Sequence, residues 1–203
     1  MSNDRDTLLL NGHTIYLDTI TDLQYSKVIK FNKIVYDTSP IMKVNDKITL
    51  HLINGKNIIL EDSFPNSDND DQVTYKYVGF LKEVGLYIVI AQYFESGEYL
   101  LIDNKTGSKT KVWGIPKLSP DNIHIIAASS AIGYEIMPNG IQLWKIQTNG
   151  IPKLEWEYQQ NKWSPENVEW ADKNTIYVFK RTPEQLSSNN KESKSYIKLL
   201  IKE

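Results

Sequence analysis

The sequence predicts an all-β protein built from antiparallel sheets. Segments in which apolar and polar residues alternate, such as Ile48–Leu52 and Ile141–Ile146, recur along the chain and are typical of strands with one buried face. Asn-Gly dipeptides, a strong local signal for a β-hairpin, separate several of these segments. No window of a dozen residues has the apolar spacing of an amphipathic helix, and only a single helical turn is expected, at Pro183–Leu186.

Each predicted strand follows from its own pattern. Alternation indicates strands at Thr14–Leu17, Ile48–Leu52, Val73–Val78 and Ile141–Ile146. Continuous apolar runs at Leu86–Ala91 and Tyr99–Ile102 are typical of strands covered on both faces. Turns are expected at Asn11-Gly12, Asn54-Gly55, Asn139-Gly140 and Asn149-Gly150, and longer loops at Asp62–Gln72 and Thr182–Ser195.

Composition excludes several kinds of site. The chain has 203 residues with 40% hydrophobic and 24% charged side chains, which is typical of a globular protein. A net charge of -2 gives no overall attraction to nucleic acid. The absence of cysteine excludes disulfides, zinc-thiolate sites, iron-sulfur clusters and a cysteine nucleophile. No segment approaches the roughly 20 apolar residues of a membrane-spanning helix.

Glycines recur at an even spacing. Gly12, Gly55, Gly97 and Gly140 are separated by 43, 42 and 43 residues, and each precedes an apolar segment. A period of about 40–45 residues with several strands per unit is typical of β-propeller blades. We therefore expect one propeller-like domain over residues 1–203, with about four to five repeats of 42–45 residues, in a closed ring, an open or partial ring, or a sandwich-like variant. The alternative is a meander whose turns happen to be evenly spaced.

Three short segments carry a resemblance to known repeat families. Asp103-Asn104-Lys105-Thr106-Gly107, Leu118–Asn122 and Ile141–Trp144 resemble the strand and turn pattern of WD40-like and TolB-like β-propellers. Pro138–Trp144 is similar to a segment of bacterial propeller-like repeat proteins of unknown function. The resemblance covers roughly residues 80–180. It implies a fold and no particular chemistry.

No catalytic residue, cofactor site or metal site is predicted. The chain lacks the common nucleophile motifs and the glycine-rich phosphate loops. His13, His51 and His124 each lie in a strand-like segment, where a position on the strand face is the expected role. The chain is therefore expected not to be an enzyme.

Candidate partner-binding residues lie in predicted loops. Asp68, Asp70 and Asp71 belong to an acidic stretch, for which a solvated loop is the alternative. Trp113 and Trp163 adjoin turns and would be either contacts for a partner or packing residues between blades. The last two candidates, Tyr93 and Glu95, flank a hairpin turn.

Three functional hypotheses follow. The first is a non-enzymatic protein-interaction module, in one form an immunity-type or antagonist protein whose acidic loop binds a basic partner. The second is an exported protein that binds or acts on a carbohydrate or small ligand, since all tryptophans lie between residues 113 and 170 and carboxylates such as Glu95, Glu98 and Glu135 lie nearby. The third is an assembly role through an open edge strand at Ser195–Ile201.

The compartment is open at this stage. The apolar run Leu8–Leu10 is shorter than the 7–15 residues of a signal-peptide core. A cytoplasmic protein is expected if Met1 is the native start, and an exported or lipid-anchored one if a leader has been removed. No nucleic acid partner and no membrane span are expected in either case.

Overall fold

A computed structural model describes residues 6–31, 37, 41–64, 72–133, 136–187 and 194–202. Most of these residues form antiparallel strands, which confirms the all-β prediction. The strands are β1 (Asp6–Leu10), β2 (His13–Ile20), β3 (Lys47–His51), β4 (Asn57–Glu61), β5 (Thr74–Leu81), β6 (Leu86–Gln92), β7 (Gly97–Asp103), β8 (Lys109–Val112), β9 (Lys117–Leu118), β10 (His124–Ser129), β11 (Gly140–Ile146), β12 (Pro152–Gln159), β13 (Ser164–Trp170), β14 (Thr175–Arg181) and β15 (Ser195–Lys202). The helices are α1 (Asp22–Phe31) and α2 (Pro183–Ser187). Neither is long and apolar enough to cross a membrane, within the part of the chain that the structure describes.

The contacts divide the chain into two compact units. The first comprises Met1–Ile34, Lys117–Lys145 and Lys153–Glu203, and the second comprises Val35–Pro116 and Ile146–Pro152. The single domain expected over residues 1–203 stays a prediction.

The first unit packs two antiparallel sheets on each other. One sheet has the strand order β1-β2-β15-β14-β13, and the other has the order β12-β11-β10-β9. Their facing side chains form one core, in which Ile126, Leu143 and Trp156 meet Val178 and Leu199. Trp156 is fully buried, so a large share of the hydrophobic stabilisation lies here.

The C-terminal strand β15 lies in the interior of its sheet. It pairs with β14 on one side and with the N-terminal strand β2 on the other. The hypothesis that Ser195–Ile201 is an open edge is therefore wrong, because the ladder hydrogen bonds of both edges are already used.

The second unit contains the meander β5-β6-β7-β8 and the hairpin β3-β4. Ile48 and Leu60 of the hairpin pack in one core with Val89, Leu100 and Ile102 of the meander.

Each of the four evenly spaced glycines lies just before or at the start of a strand, namely β2, β4, β7 and β11.

The helix α1 was not predicted, because only Tyr25 among its described side chains is buried and no apolar stripe exists. Its start is stabilised by a capping box instead. The Thr21 backbone N–H donates to Gln24 Oε1 at 2.8 Å, and the Gln24 N–H donates to Thr21 Oγ1 at 3.3 Å. The negative charge of Asp22 in the first turn also interacts favourably with the positive end of the helix dipole. The helical turn expected at Pro183–Leu186 is confirmed as α2.

Two turns illustrate what a dipeptide predicts. Asn11 and Gly12 have φ values of 47° and 83° and join β1 to β2, as expected of a type I′ hairpin. Asn139-Gly140 is not a hairpin turn, because Asn139 is buried and Gly140 begins β11. The β10–β11 connection instead spans residues 130–139.

Candidate functional site

The longest connections of the first unit leave its sheets at one end. Ser129 pairs with Gly140, Ser164 with Arg181, and Lys180 with Ser195. The chain therefore leaves β10 and β14 at the same end of the sheets as the short link 160–163. The turns at the opposite end, such as residues 11–12 and 171–174, are tight. Long loops held by a rigid sheet are where binding residues concentrate.

An open groove of about 460 Å³ lies among these connections. Its lining consists of Ala131, Ile132, Gly133, Met137, Asn139, Gln159, Gln160 and Asn161. None of these side chains is charged, and the polar ones are all carboxamides. The groove is therefore suited to an uncharged ligand that offers both hydrogen-bond donors and acceptors.

Asn139 is a structural clip beneath the groove. Its side chain is buried, and Nδ2 donates to the carbonyls of Gln160 and Trp163, both at 2.8 Å. Oδ1 accepts the Ala131 N–H at 3.1 Å and lies 3.1 Å from Ser164 Oγ. One amide thus ties the β10–β11 connection to the β12–β13 link, and it has no free group for a ligand.

Gln160 is a second clip, within the β12–β13 link itself. Its Oε1 accepts the backbone N–H groups of Lys162 at 2.8 Å and Trp163 at 3.1 Å. Its Nε2 donates to the Trp163 carbonyl. Gln159 and Asn161 differ from both clips, since they are exposed and their side-chain amides form no hydrogen bond with another described residue. These two amides are the polar groups that a ligand in the groove can reach.

Gly140 allows β11 to approach β12 closely beside the groove. A Cβ atom at this position would lie 2.0 Å from the Tyr158 carbonyl oxygen, well inside van der Waals contact. Glycine is therefore required by the close approach of β11 to β12.

A polar cluster buttresses the same end of the unit. Ser130 Oγ lies 2.6 Å from Ser164 Oγ and donates to Glu166 Oε1 at 2.8 Å. Arg181 Nη2 forms an ion pair with the other oxygen of Glu166. These contacts join β13, β14 and the loop after β10.

No family model, curated protein or solved structure matches this chain. The likeness to WD40-like and TolB-like propellers therefore stays an expectation from the sequence. Function has to be argued from the geometry of the site.

Trp163, one of the predicted contact residues, is 7% exposed. Its ring lies 6.1 Å from that of Tyr158, and Lys180 Nζ lies 5.5 Å from the ring centroid. Burial lowers the pKa of Lys180, although the charge of Asp6 opposes this effect. Trp163 thus packs within the first unit and offers little surface to a partner.

The other predicted aromatic contacts lie in the second unit. Tyr93 and Glu95 share the β6–β7 loop, where Glu95 is exposed and the Tyr93 hydroxyl donates to Glu98 at 2.6 Å. The pKa of Tyr93 is raised, mainly because the side chain is partly buried and secondly because its hydroxyl donates this hydrogen bond to Glu98. Trp113 is half-buried after β8 and lies outside that loop. Whether these residues bind a partner stays a prediction.

The acidic stretch is only partly described. Asp68, Asp70 and Asp71 lie outside the described residues. Its first two acids are paired with lysines, since Glu61 lies 3.1 Å from Lys47 Nζ and Asp62 lies 2.5 Å from Lys43 Nζ.

The three histidines each lie in a strand. His13 begins β2, His51 ends β3, and His124 begins β10, where its Nε2 lies 3.3 Å from Glu155 Oε2. The described residues contain no group of three side chains able to hold a metal ion.

Met137, Gln159 and Asn161 line the groove but are not among the residues predicted from the sequence to bind a partner. No local pattern singles them out, because they come from two connections that meet only in the folded unit. The one available signal was Asn139-Gly140, whose role is to shape the groove and not to turn the chain.

Proposed function

We propose that this chain is a non-enzymatic protein-interaction module that binds an uncharged, extended segment of a partner protein in the groove. The observation that supports this proposal is the pair of exposed, unbonded carboxamides at Gln159 and Asn161. A carboxamide carries the same donor and acceptor groups as a peptide bond, so it can donate to a peptide carbonyl or accept from a peptide N–H.

The rest of the lining fits a peptide as well. Ile132 and Met137 supply an apolar wall for one side chain of the segment. Methionine adapts its shape to different side chains. A volume of about 460 Å³ lies within the usual range of ligand pockets. The lack of charge in the described lining favours a neutral segment over a basic one.

A carbohydrate ligand fits this lining less well. Sugar sites commonly use an exposed aromatic ring for stacking, and Trp163 of the β12–β13 link is buried. Glycoside hydrolysis would also need two carboxylates about 5–10 Å apart, and the described lining has none.

We also infer that the scaffold is propeller-like. Two meanders, β5-β6-β7-β8 and β9-β10-β11-β12, each have four strands. The strands β13-β14-β15 are joined by β2 as a fourth, and β1 adds a fifth at the edge. Completion of a C-terminal sheet by an N-terminal strand is how many propellers join their ends. The even glycine spacing supports the same interpretation.

The proposal is tested with peptides selected from a random display library against the whole chain. Their affinities are measured by calorimetry for the wild type and for the double variant Gln159→Ala, Asn161→Ala. Loss of two neutral hydrogen bonds should weaken binding by about tenfold or more. Lys162→Ala is the matched control, since Lys162 is exposed in the same link but does not line the groove.

Two results would contradict the proposal. One is a set of selected peptides that bind the double variant as tightly as the wild type. The other is a glycan array that yields Gln159-dependent binding while the peptide library yields none, which would favour the carbohydrate alternative.

A further inference from the structure

The strand β12 forms one edge of its four-stranded sheet, since β11 is its only neighbour among the described strands. Two contacts show which of its backbone groups face β11. The Gln160 N–H donates to the Asn139 carbonyl at 3.1 Å. The Tyr158 carbonyl oxygen lies against the position that a Cβ atom would take on Gly140 of β11. The backbone groups of Tyr158 and Gln160 are therefore directed toward β11.

The intervening residues of β12 direct their backbone groups away from β11. At Glu155 the hydrogen bonds show this directly, because its carbonyl accepts a bond of 2.9 Å from Asn11 Nδ2 in the β1–β2 turn. The alternation of an antiparallel ladder gives the same direction to the N–H and C=O groups of Glu157 and Gln159. No described residue bonds to these backbone groups. The outer edge of β12 is thus closed at Glu155 and open at Glu157 and Gln159.

The open part of this edge adjoins the groove. Gln159 contributes its side chain to the groove lining and its backbone to the outer edge of β12. Both Glu157 and Gln159 have exposed side chains. A peptide that lies in the groove can therefore continue along β12 and form ladder hydrogen bonds with these two residues, as extended peptides do at other open sheet edges.

Glu157 gives this edge a charge that the groove lacks. Among the described residues its carboxylate accepts one hydrogen bond, of 3.2 Å from Gln142 Nε2. Glu155 on the same face differs, because its carboxylate lies 3.3 Å from His124 Nε2 and 3.8 Å from Lys145 Nζ. No described cation forms an ion pair with Glu157 in this way. A charge on an edge strand disfavours a neutral strand beside it and favours one of opposite charge.

We propose that the partner segment binds as an added β-strand on the outer edge of β12, with a neutral residue beside Gln159 and a lysine or arginine beside Glu157. This proposal rests on the function proposed for the groove, and it adds the geometry and the charge of the ligand. Side chains on one face of a strand are two residues apart, so two positions separate the neutral residue from the basic one. Main-chain hydrogen bonds supply affinity for an extended peptide, and the pair with Glu157 supplies selectivity.

The backbone pairing is tested with the tightest-binding peptide from the display selection, synthesised with one N-methylated amide at a time. Calorimetry with the whole chain gives the affinity of each version. Only every second amide of an added strand faces its neighbour. N-methylation at alternate positions should therefore weaken binding by about tenfold, and N-methylation at the positions between them should have little effect. Affinities without this alternation would overturn the added strand.

The charge is tested with Glu157→Lys, which should weaken binding of the same peptide by about fivefold or more. A second peptide, with glutamate in place of the basic residue, should regain affinity for this variant. Lys153→Glu is the matched control, since it reverses another exposed charge of β12 beyond Glu155, where Asn11 closes the edge. Circular dichroism should be the same for both variants and the wild type. Equal affinities for Glu157→Lys and the wild type would overturn the predicted charge of the ligand.

Failure of the added strand differs from failure of the groove function. Peptides that need Gln159 and Asn161 but show neither the alternation nor the response to Glu157→Lys would overturn the added strand and leave the groove function in place. A library that yields no peptide dependent on Gln159 would contradict the groove function and, with it, the added strand.

Discussion

Replacing the buried clip Asn139 by alanine should destabilise the first unit by about 2 kcal/mol. The substitution leaves the Ala131 N–H and the Gln160 carbonyl without this partner, whereas the Trp163 carbonyl keeps the hydrogen bond from Gln160 Nε2. A buried polar group that loses its partner costs about 1 kcal/mol or more. The Asn139 side chain is 8% exposed, so water reaches these groups poorly.

The assay is urea unfolding followed by circular dichroism, with the free energy of unfolding taken from the linear extrapolation. Asn161→Ala is the matched control, since it removes the same side chain from an exposed position without described partners. Its free energy of unfolding should change by less than about 0.5 kcal/mol. Asn139→Asp should also destabilise, because it removes both Nδ2 donors and directs a carboxylate at two carbonyls.

A loss below about 1 kcal/mol for Asn139→Ala, or one equal to that of Asn161→Ala, would refute this reasoning. It would mean that water or a rearranged loop satisfies the freed groups. The role of Asn139 in shaping the groove would then have no energetic support.

Two further outcomes are expected. Gly140→Ala should lower the free energy of unfolding by about 1–3 kcal/mol, because the added Cβ would lie 2.0 Å from Tyr158 O. Gly133→Ala should cost less, because nothing lies within 4 Å of its Cβ and only the strain of its φ of 85° opposes the substitution. Equal losses would argue against the close contact. Burial raises the pKa of Tyr25 from 10.0 to about 12, so the stabilisation by its neutral form is complete below pH 10 and is lost as pH rises toward 12. The difference in Tm between the wild type and Tyr25→Phe should therefore be constant up to about pH 10 and shift against the wild type above it, and a difference that never changes would contradict that pKa.

Local patterns determined most of the strands. Alternation is read from neighbouring residues alone, and segments such as Thr14–Leu17 and Ile141–Ile146 are strands in the structure. The hairpin at Asn11-Gly12 could also be predicted from local sequence, because both turn positions need a positive φ and these two residue types tolerate it. Helix α1 was not predicted because it has no apolar stripe. A capping box stabilises its first turn, and the single buried tyrosine Tyr25 packs it against Tyr196 of the sheet.

Only the tertiary structure decided where strands lie within a sheet and which loop residues meet. The pattern of Ser195–Ile201 is the same for an edge strand and a central one, and pairing with β2, more than 170 residues away, makes it central. The groove forms because Asn139 reaches a link about 20 residues further along the chain, which brings Gln159 and Asn161 beside Met137. Such contacts depend on how whole sheets pack on each other. The packing is determined by core residues from many strands, so no single segment of the sequence predicts it.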